Sequence, residues 1–493
     1  MDMRIRKTKT KSGATAVQVV DSRYGQTIIR KHIGSAWTPQ SIHRLREEAR
    51  TWMVAASHQQ SFFPIEPSFS PLLSQYRYIG TRYTLLYDTV ISMLTALGFS
   101  TLSDPIFLDL VLMRLVEPGS KRESVRRLKE LFDISYDLTR VYKQLRRIAS
   151  RKDAVESLLV AYARTALHAD FSFVLYDVTT LYFESFTSEE LKQCGLSKDN
   201  KSMQPQIVIG LLVTADGFPL AYDLFAGNIF EGHTMIPVVT RLVKRFHIDH
   251  LTVVADAAML SRANIDALVA AGISYIVGAR LGYLTAAEVQ EISRALDGRD
   301  GASVRRTMND RTLVCDFSKK RYAKNKNDTE KQINKATHIA DGTLPVKRHR
   351  FLVGIHARVS LNQALIARTK LLWGIKGYMT NIDASNDMII ARYHDLWHVE
   401  QSFRMAKSDL LSRPIFHFKQ EAIKAHLLIC VMALAAGKHM ERKTHKSLQA
   451  ILSLLKQLPD ARIEHIATKE QTNWRTDIPE TTKQMLNDLG CTY

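Results

Sequence analysis

Apolar residues recur along this chain in two rhythms, and the rhythm changes from section to section. Residues 1–100 open with alternation. Ala16-Val-Gln-Val-Val and Gln26-Thr-Ile-Ile-Arg read as a hairpin around Arg23-Tyr-Gly-Gln. A basic helix follows from about Ser41 to Ala56, and the Ser-, Phe- and Pro-rich stretch from Ser61 to Pro71 reads as a linker. Residues 101–168 change to a helical period. Ile106–Val116 is strongly apolar, Pro118-Gly119-Ser120 breaks the pattern, and Ser120 with Glu123 has capping-box spacing. Two more helices are predicted over Lys121–Phe132 and Leu138–Ala149.

Residues 169–280 alternate strand with helix. Predicted strands are Phe171–Asp177, Gln206–Thr214, Leu220–Phe225, Leu251–Asp256 and Tyr275–Ala279, with helices over Met235–Phe246 and Ser261–Ala271. Strand with Asp, hairpin, helix, second strand with Asp is the order that an RNase H-like core requires. Residues 281–370 interrupt this core as a basic, β-rich insertion domain with strands at Thr312–Phe317, His349–Ile355 and Leu365–Arg368. Residues 371–415 return to the sheet with Ile375-Lys-Gly-Tyr-Met-Thr-Asn, then form a helix from about Asn386 to Leu410. Residues 416–493 are helical, with Leu427–Ala436 and Leu448–Leu458 as apolar cores. The predicted class is α/β: an RNase H-like mixed sheet flanked by helices, with a β-rich insertion and helical N- and C-terminal regions.

Composition narrows the partners. Of 493 residues, 45% are hydrophobic, enough to fill more than one core. Lys and Arg total 68 against 49 Asp and Glu, a formal charge of +19. A pI near 9.7 points to an anionic polymer. An anionic membrane surface would fit the charge equally, but no basic amphipathic helix of the interfacial type is evident. The longest apolar run, Leu427–Ala436, is too short to cross a bilayer, so no membrane partner is expected. The N-terminal Met1-Asp-Met-Arg-Ile-Arg-Lys has charge with no apolar signal region behind it. Cys194, Cys315, Cys430 and Cys491 have no pairing or metal spacing and read as reduced thiols, which places the chain in the cytoplasm. Positive charge concentrates twice. Residues 121–152 carry eleven Lys or Arg against four Asp or Glu, in helices that read either as a helix-turn-helix or as a solvated basic face. Arg126 and Arg127 are its candidate DNA contacts. Residues 319–350 carry ten against three, and Lys319-Lys320-Arg321-Tyr-Ala-Lys324-Asn-Lys326 reads as a basic loop suited to a nucleic-acid backbone.

Three acids carry the chemistry. Asp177 ends the uncharged run Phe-Ser-Phe-Val-Leu-Tyr, and Asp256 ends Leu-Thr-Val-Val-Ala. Either alone is ordinarily a turn or cap residue. Glu400 lies inside a helical pattern. Tyr393, Glu400 and Lys407 are seven apart, and seven residues on a straight helix return within about 20° of one face. Arg404, four residues after Glu400, is placed to orient it or pair with it. Two carboxylates at strand ends and one on a helix can hold two Mg²⁺ or Mn²⁺ ions, because these cations favour oxygen ligands and tolerate several waters. His394 and His398 are four apart, but Asp395 follows the first and no third ligand is evident, which disfavours a zinc helix.

With those residues in place, the chain resembles DDE transposases of bacterial insertion sequences, in the subgroup with a β-rich insertion between the second Asp and the Glu. The matching text is Tyr176-Asp177-Val-Thr-Thr, Gly210-Leu-Leu-Val, Asp216-Gly-Phe-Pro-Leu, Phe225-Ala-Gly-Asn, Val254-Ala-Asp256-Ala-Ala-Met-Leu-Ser and Trp397-His-Val-Glu400-Gln-Ser-Phe-Arg404-Met-Ala-Lys407. The resemblance implies that the three acids hold divalent metal and that Tyr393 and Lys407 contact phosphates of the element ends. It also implies a loop near the active site at Lys198-Asp199-Asn200. Where the family pattern has an Arg, this chain has Leu396; Arg392, Arg404 and Trp397 are the neighbours able to compensate. The implied partners are the terminal inverted repeats and target DNA, with a homodimer joining two ends in the bacterial nucleoid. Two alternatives remain: a catalytically silent DNA-binding descendant, and a general RNase H-like nuclease. Binding to DNA should weaken with salt by about 0.9 log units per log unit of salt for each phosphate neutralised. A filter-binding series with a flat salt dependence would remove DNA as the partner.

Overall fold

The computed structural model describes residues 3–23, 26–56, 75–184, 187–195, 203–259, 261–308, 311–345, 347–355 and 358–492. The chain divides into two units, residues 1–77 with 464–470, and the remainder. In the first unit, β1 (Met3–Lys9), β2 (Thr15–Arg23) and β3 (Gln26–Ala36) pair antiparallel in sequence order. The predicted hairpin is β2 with β3, and β1 adds a third strand. Alternation works as the pattern requires: Val17 and Val19 point inward and pack with Ala49 of the helix Pro39–Ala56. The predicted linker at 61–71 lies outside the described residues, as does Lys198-Asp199-Asn200.

The second unit begins with β4 (Tyr76–Arg82) and a series of helices, Thr84–Ala96, Pro105–Val116, Lys121–Phe132, Leu138–Ala149 and Lys152–Thr165. Ser120 caps its helix by accepting the Glu123 N–H at 3.1 Å. The reciprocal half of the expected capping box is replaced, because the Glu123 carboxylate pairs with Arg126 and Arg127 instead. In the helix Leu138–Ala149, Val141, Leu145 and Ile148 are buried while Arg140, Lys143, Arg146 and Arg147 stay exposed.

An eight-stranded mixed sheet follows. Its strands are β5 (Phe173–Tyr182), β6 (Gln206–Thr214), β7 (Pro219–Ala226), β8 (Thr252–Ala255), β9 (Ser274–Ala279), β10 (Ser303–Met308), β11 (Arg311–Phe317) and, after the hairpin β12 (Leu352–Ile355) and β13 (Arg358–Leu361), β14 (Ile375–Thr380). The order is β10-β11-β14-β9-β8-β5-β6-β7. Strands β5, β6 and β7 form an antiparallel meander, and β8 and β9 run parallel to β5. That is the RNase H-like arrangement, covered by helices on its faces. All nine residues of β6 are buried, as a central strand covered on both sides demands.

The insertion differs from the expectation in three ways. Its first two strands do not stand apart: β11 pairs with β14, and β14 pairs with β9, so the core sheet is extended. Edge pairing of this kind covers a row of backbone donors and acceptors that would otherwise be open. The expected basic loop at Lys319 is the start of a 22-residue helix, Lys319–Ala340, capped by Ser318. Residues 365–368, expected as a strand, lie in the helix Gln363–Leu371. The apolar run 427–436 belongs to a 25-residue helix, Gln420–Thr444, the one described helix long and apolar enough to cross a bilayer. Of its apolar window 78% is buried inside the chain, where it serves as a core helix.

A buried ion cluster locks helix to sheet beside the site. Glu156 is 1% exposed and meets Lys152 at 3.1 Å, Arg241 at 3.1 Å and Arg245 at 3.3 Å. Its carboxylate also accepts the Tyr222 N–H of β7 at 3.1 Å. Glu156→Ala removes the buried anion that three cations share, leaving Asp223 to Lys152 and Arg241 and Asp153 to Arg245, and should lower the unfolding free energy by about 3 kcal/mol. Urea unfolding checks this; a change under about 1 kcal/mol would show the cluster to be peripheral.

Candidate active site

Strands β5 and β8 are parallel and in register through Tyr176↔Ala255. The next residue on each is Asp177 and Asp256. Equivalent positions on neighbouring parallel strands share a face, about 4.8 Å apart in backbone. Strand β8 stops at Ala255, so both carboxylates emerge where the parallel ladder ends. Asp177 is not itself at a strand end, as the uncharged run before it implied. β5 continues to Tyr182 because β6 goes on pairing with it, Asp177 facing Leu211 and Tyr182 facing Gln206.

The Glu-bearing helix is segmented. The continuous helix expected over 386–410 is Asn386–His394, then Trp397–Arg404, then a π turn over Met405–Asp409. At the joint, Leu396 N–H reaches Tyr393 O at 3.2 Å and His398 N–H reaches Asp395 O at 2.9 Å, the tighter i to i−3 spacing. The seven-residue stripe is thereby divided. Tyr393 and Glu400 line one cleft of about 370 Å³ together with Asp177 and Asp256. Lys407 lines a different, apolar recess with Thr179, Leu181, Ile209 and Leu211. The Glu400 segment is held down by the β6–β7 turn. Gly217 sits there at φ 85°, and a Cβ on it would stand 3.1 Å from His398 O. Ser402 Oγ–H donates to Gly217 O at 2.9 Å.

Tyr393 is buried beneath the carboxylates and does not present a surface to DNA. Its hydroxyl donates to Asp256 Oδ1 at 3.1 Å. The approach needs Gly278 in β9, where a Cβ would lie 2.5 Å from the Tyr393 hydroxyl oxygen. Burial, then the charge of Asp256, raises the Tyr393 pKa, with Asp177 and Glu400 adding in the same direction. All three carboxylates therefore act on this one hydroxyl. Lys376 of β14 completes the floor, its Nζ 4.4 Å from the Tyr393 ring centroid. Burial lowers its pKa, the charge of Arg321 lowers it further, and Asp256 and Glu400 pull it back up. Lys376 was not singled out from sequence, although a lone charge in the apolar text Ile375–Thr380 was the available signal.

Other residues fall elsewhere. Arg321 is tied to Asp316 through two bonds of 3.1 and 3.0 Å and supports the floor from behind, since Tyr378 also donates to Asp316 at 2.8 Å. It is not a free backbone contact. Lys319, Lys320, Lys324 and Lys326 are exposed on their helix. Arg126 and Arg127 are committed to Glu123 and Glu130 on the same helix, exposed pairs worth little individually. Arg404 is exposed. Arg392 pairs with Asp395 at 3.2 Å, while Leu396 and Trp397 line the cleft. The two histidines do not converge: His394 Nε2 lies 3.5 Å from the Tyr378 hydroxyl, and His398 stacks on Trp397 at 4.0 Å.

Among the described residues, no three His, Cys, Asp or Glu side chains stand close enough to hold a metal ion as they lie. Of the possible donors lining the cleft, Asp177, Asp256 and Glu400 offer carboxylate oxygens, which suit magnesium or manganese, and His394 offers an imidazole nitrogen.

The family model of the transposase DDE domain matches residues 168–436, more than half of the chain. The chain belongs to this family, and its function is DNA transposition. Among solved structures, the piggyBac transposase synaptic complex with hairpin DNA is similar at 10% identity and a TM-score of 0.40, covering 70% of this chain and 68% of that chain. The Mos1 transposase paired-end complex with the left transposon end is similar at 12% identity and a TM-score of 0.16, covering 49% and 67%. No curated protein matches the chain.

Tyr393→Phe keeps the buried ring and removes one hydrogen bond to a charged acceptor, worth about 1.5–3 kcal/mol. DNA cleavage should fall roughly ten- to hundred-fold at about 1.4 kcal/mol per decade, with the circular dichroism spectrum unchanged. Wild-type cleavage by this variant would mean that Asp256 needs no such restraint.

Proposed function

We propose that the chain is a metal-dependent transposase that cuts DNA at the ends of an insertion element and joins the freed strand to a target. The observation that supports this most is the register of β5 and β8, which sets Asp177 beside Asp256 on the rim of a cleft that Glu400 also lines. These three side chains would hold the divalent ions, magnesium or manganese, as a pair. When bound, such ions neutralise the charge that builds at phosphorus and favour the attacking and leaving oxygens of an in-line displacement. The three carboxylates line the cleft together, and Tyr393 restrains Asp256 through its Oδ1. Lys376 adds a fixed positive charge on the cleft floor, placed to balance part of the phosphate's own charge.

The two chemical steps have one form. Water attacks the phosphodiester at the element end, a new P–O bond forms, and the 3′ oxygen leaves with a proton as a 3′-OH. That 3′-OH then attacks a target phosphodiester, and the target's 3′ oxygen leaves in its turn. Joining two ends calls for two active sites, so a homodimer on the inverted repeats is the simplest assembly. Outside the cleft, Lys319, Lys320, Lys324 and Lys326 offer exposed charge for the DNA backbone, with Lys407 and Arg404 flanking the Glu400 segment.

The intact set of three acids favours an enzyme over a silent DNA-binding descendant. Asp177→Asn, Asp256→Asn and Glu400→Gln should each abolish cleavage and strand transfer of a duplex carrying the element ends, by at least about a thousandfold, while leaving DNA binding within a few-fold. Persistence of cleavage in all three variants would refute the assignment. Cleavage without any joined product would reduce the activity to a nuclease.

A further inference from the structure

A second cavity, separate from the carboxylate cleft, gathers positive charge with no acidic side chain lining it among the described residues. It encloses about 590 Å³ between the start of the helix Lys121–Phe132, the segment 411–419 and the start of the helix Gln420–Thr444. That volume is roughly twenty waters at about 30 Å³ each and falls in the range of a small-ligand site. Arg114, Lys121, His417 and His426 line it, and no Asp or Glu does. Three of these are almost wholly buried: Lys121 is 2% exposed, Arg114 4% and His426 4%.

Buried charge is ordinarily paired. Here the Arg114 guanidinium meets only carbonyls, Leu410 O and Leu411 O at 3.3 Å and Gly119 O at 2.8 Å, and its Nε has no partner. His426 uses Nε2 on Ser412 O at 3.1 Å, and its Nδ1 has no partner. No ion pair engages Lys121 among the described residues. The groups act on one another instead. Burial, then the charge of Arg114, brings Lys121 down to about 7, and burial with Lys121 and Arg114 nearby brings His417 down to about 4. At the mouth stand three exposed aromatic rings, Phe416 at 60%, Phe418 at 61% and Tyr142 at 47%.

We infer that this cavity binds a terminal nucleotide of a DNA strand, with its phosphate between Arg114 and Lys121 and its base against the aromatic rim. The inference deepens the proposed function, since it takes DNA as the partner. Charge complementarity selects a phosphate-bearing ligand, and aromatic faces at the mouth select a base-bearing one, because every base has a π-face to stack. A cavity rather than a flat basic face favours a strand end over the backbone of a continuous duplex.

The test is calorimetric titration of the full chain, free of divalent ions, with two probes: a 5′-phosphorylated thymidine dinucleotide and inorganic phosphate. The dinucleotide should bind saturably and more tightly than inorganic phosphate. Lys121→Met, whose side chain suits a buried position, should weaken the dinucleotide at least tenfold. Phe418→Ala, at an exposed site, should weaken it severalfold, and it decides the matter alone if Lys121→Met does not fold. Asp177→Asn should bind the dinucleotide as wild type does, so failure here leaves the cleft assignment standing and the reverse holds too. Absence of dinucleotide binding, binding of inorganic phosphate alone, or wild-type affinity in Lys121→Met and Phe418→Ala would each overturn the inference.

Discussion

The parallel ladder between β5 and β8 is the constraint on which the site depends. Hydrogen bonds from Phe173↔Thr252 to Tyr176↔Ala255 fix the register, and the register alone decides that Asp177 and Asp256 are neighbours. A slip of one residue would turn one carboxylate to the opposite face. Val174, Leu175, Val253 and Val254, all at 0% exposure, fill both faces of the two strands, and a slip would change which side chain meets each packed layer. Burial of aliphatic residues thus sets the position of two charged ones.

Around that pair the chain builds support in successive layers. Tyr393 holds Asp256, Tyr378 packs on Tyr393 with ring centroids 4.8 Å apart, and Asp316 with Arg321 anchors Tyr378. Asp316 and Tyr378 belong to β11 and β14, strands contributed by and following the insertion. The insertion therefore supports the cleft floor as well as lengthening the sheet. Lys376 reaches the cleft only because β14 pairs with β9 at Gly377↔Ala279.

Much of this was legible in the linear pattern. Alternation marked β2 and β3, uncharged apolar runs marked the central strands, the order of strands pointed to the RNase H-like core, and the three acidic segments carried the family resemblance. The misreadings share a cause. A charge-rich stretch such as Lys319–Lys326 has no apolar period of its own, and it is helical because Ser318 caps it and Trp373 and Phe351 pack with residues of its later turns. The helix over 386–410 looked continuous because spacing by seven assumes a constant pitch. The joint at Asp395–Leu396 and the π turn after Arg404 change that pitch, and so Lys407 departs from the face of Glu400.

By itself, then, the sequence determined the class of fold, the family resemblance and the net positive charge, because hydrophobic period, residue chemistry and net charge are local or additive properties. Only the tertiary structure decided which strands are neighbours, that Tyr393 serves Asp256 from below, that Arg321 is bound to Asp316, and that Arg114, Lys121 and His426 meet in one cavity. Those outcomes depend on pairing and packing between residues tens to hundreds of positions apart, and no local rhythm encodes which distant partner a buried charge will face.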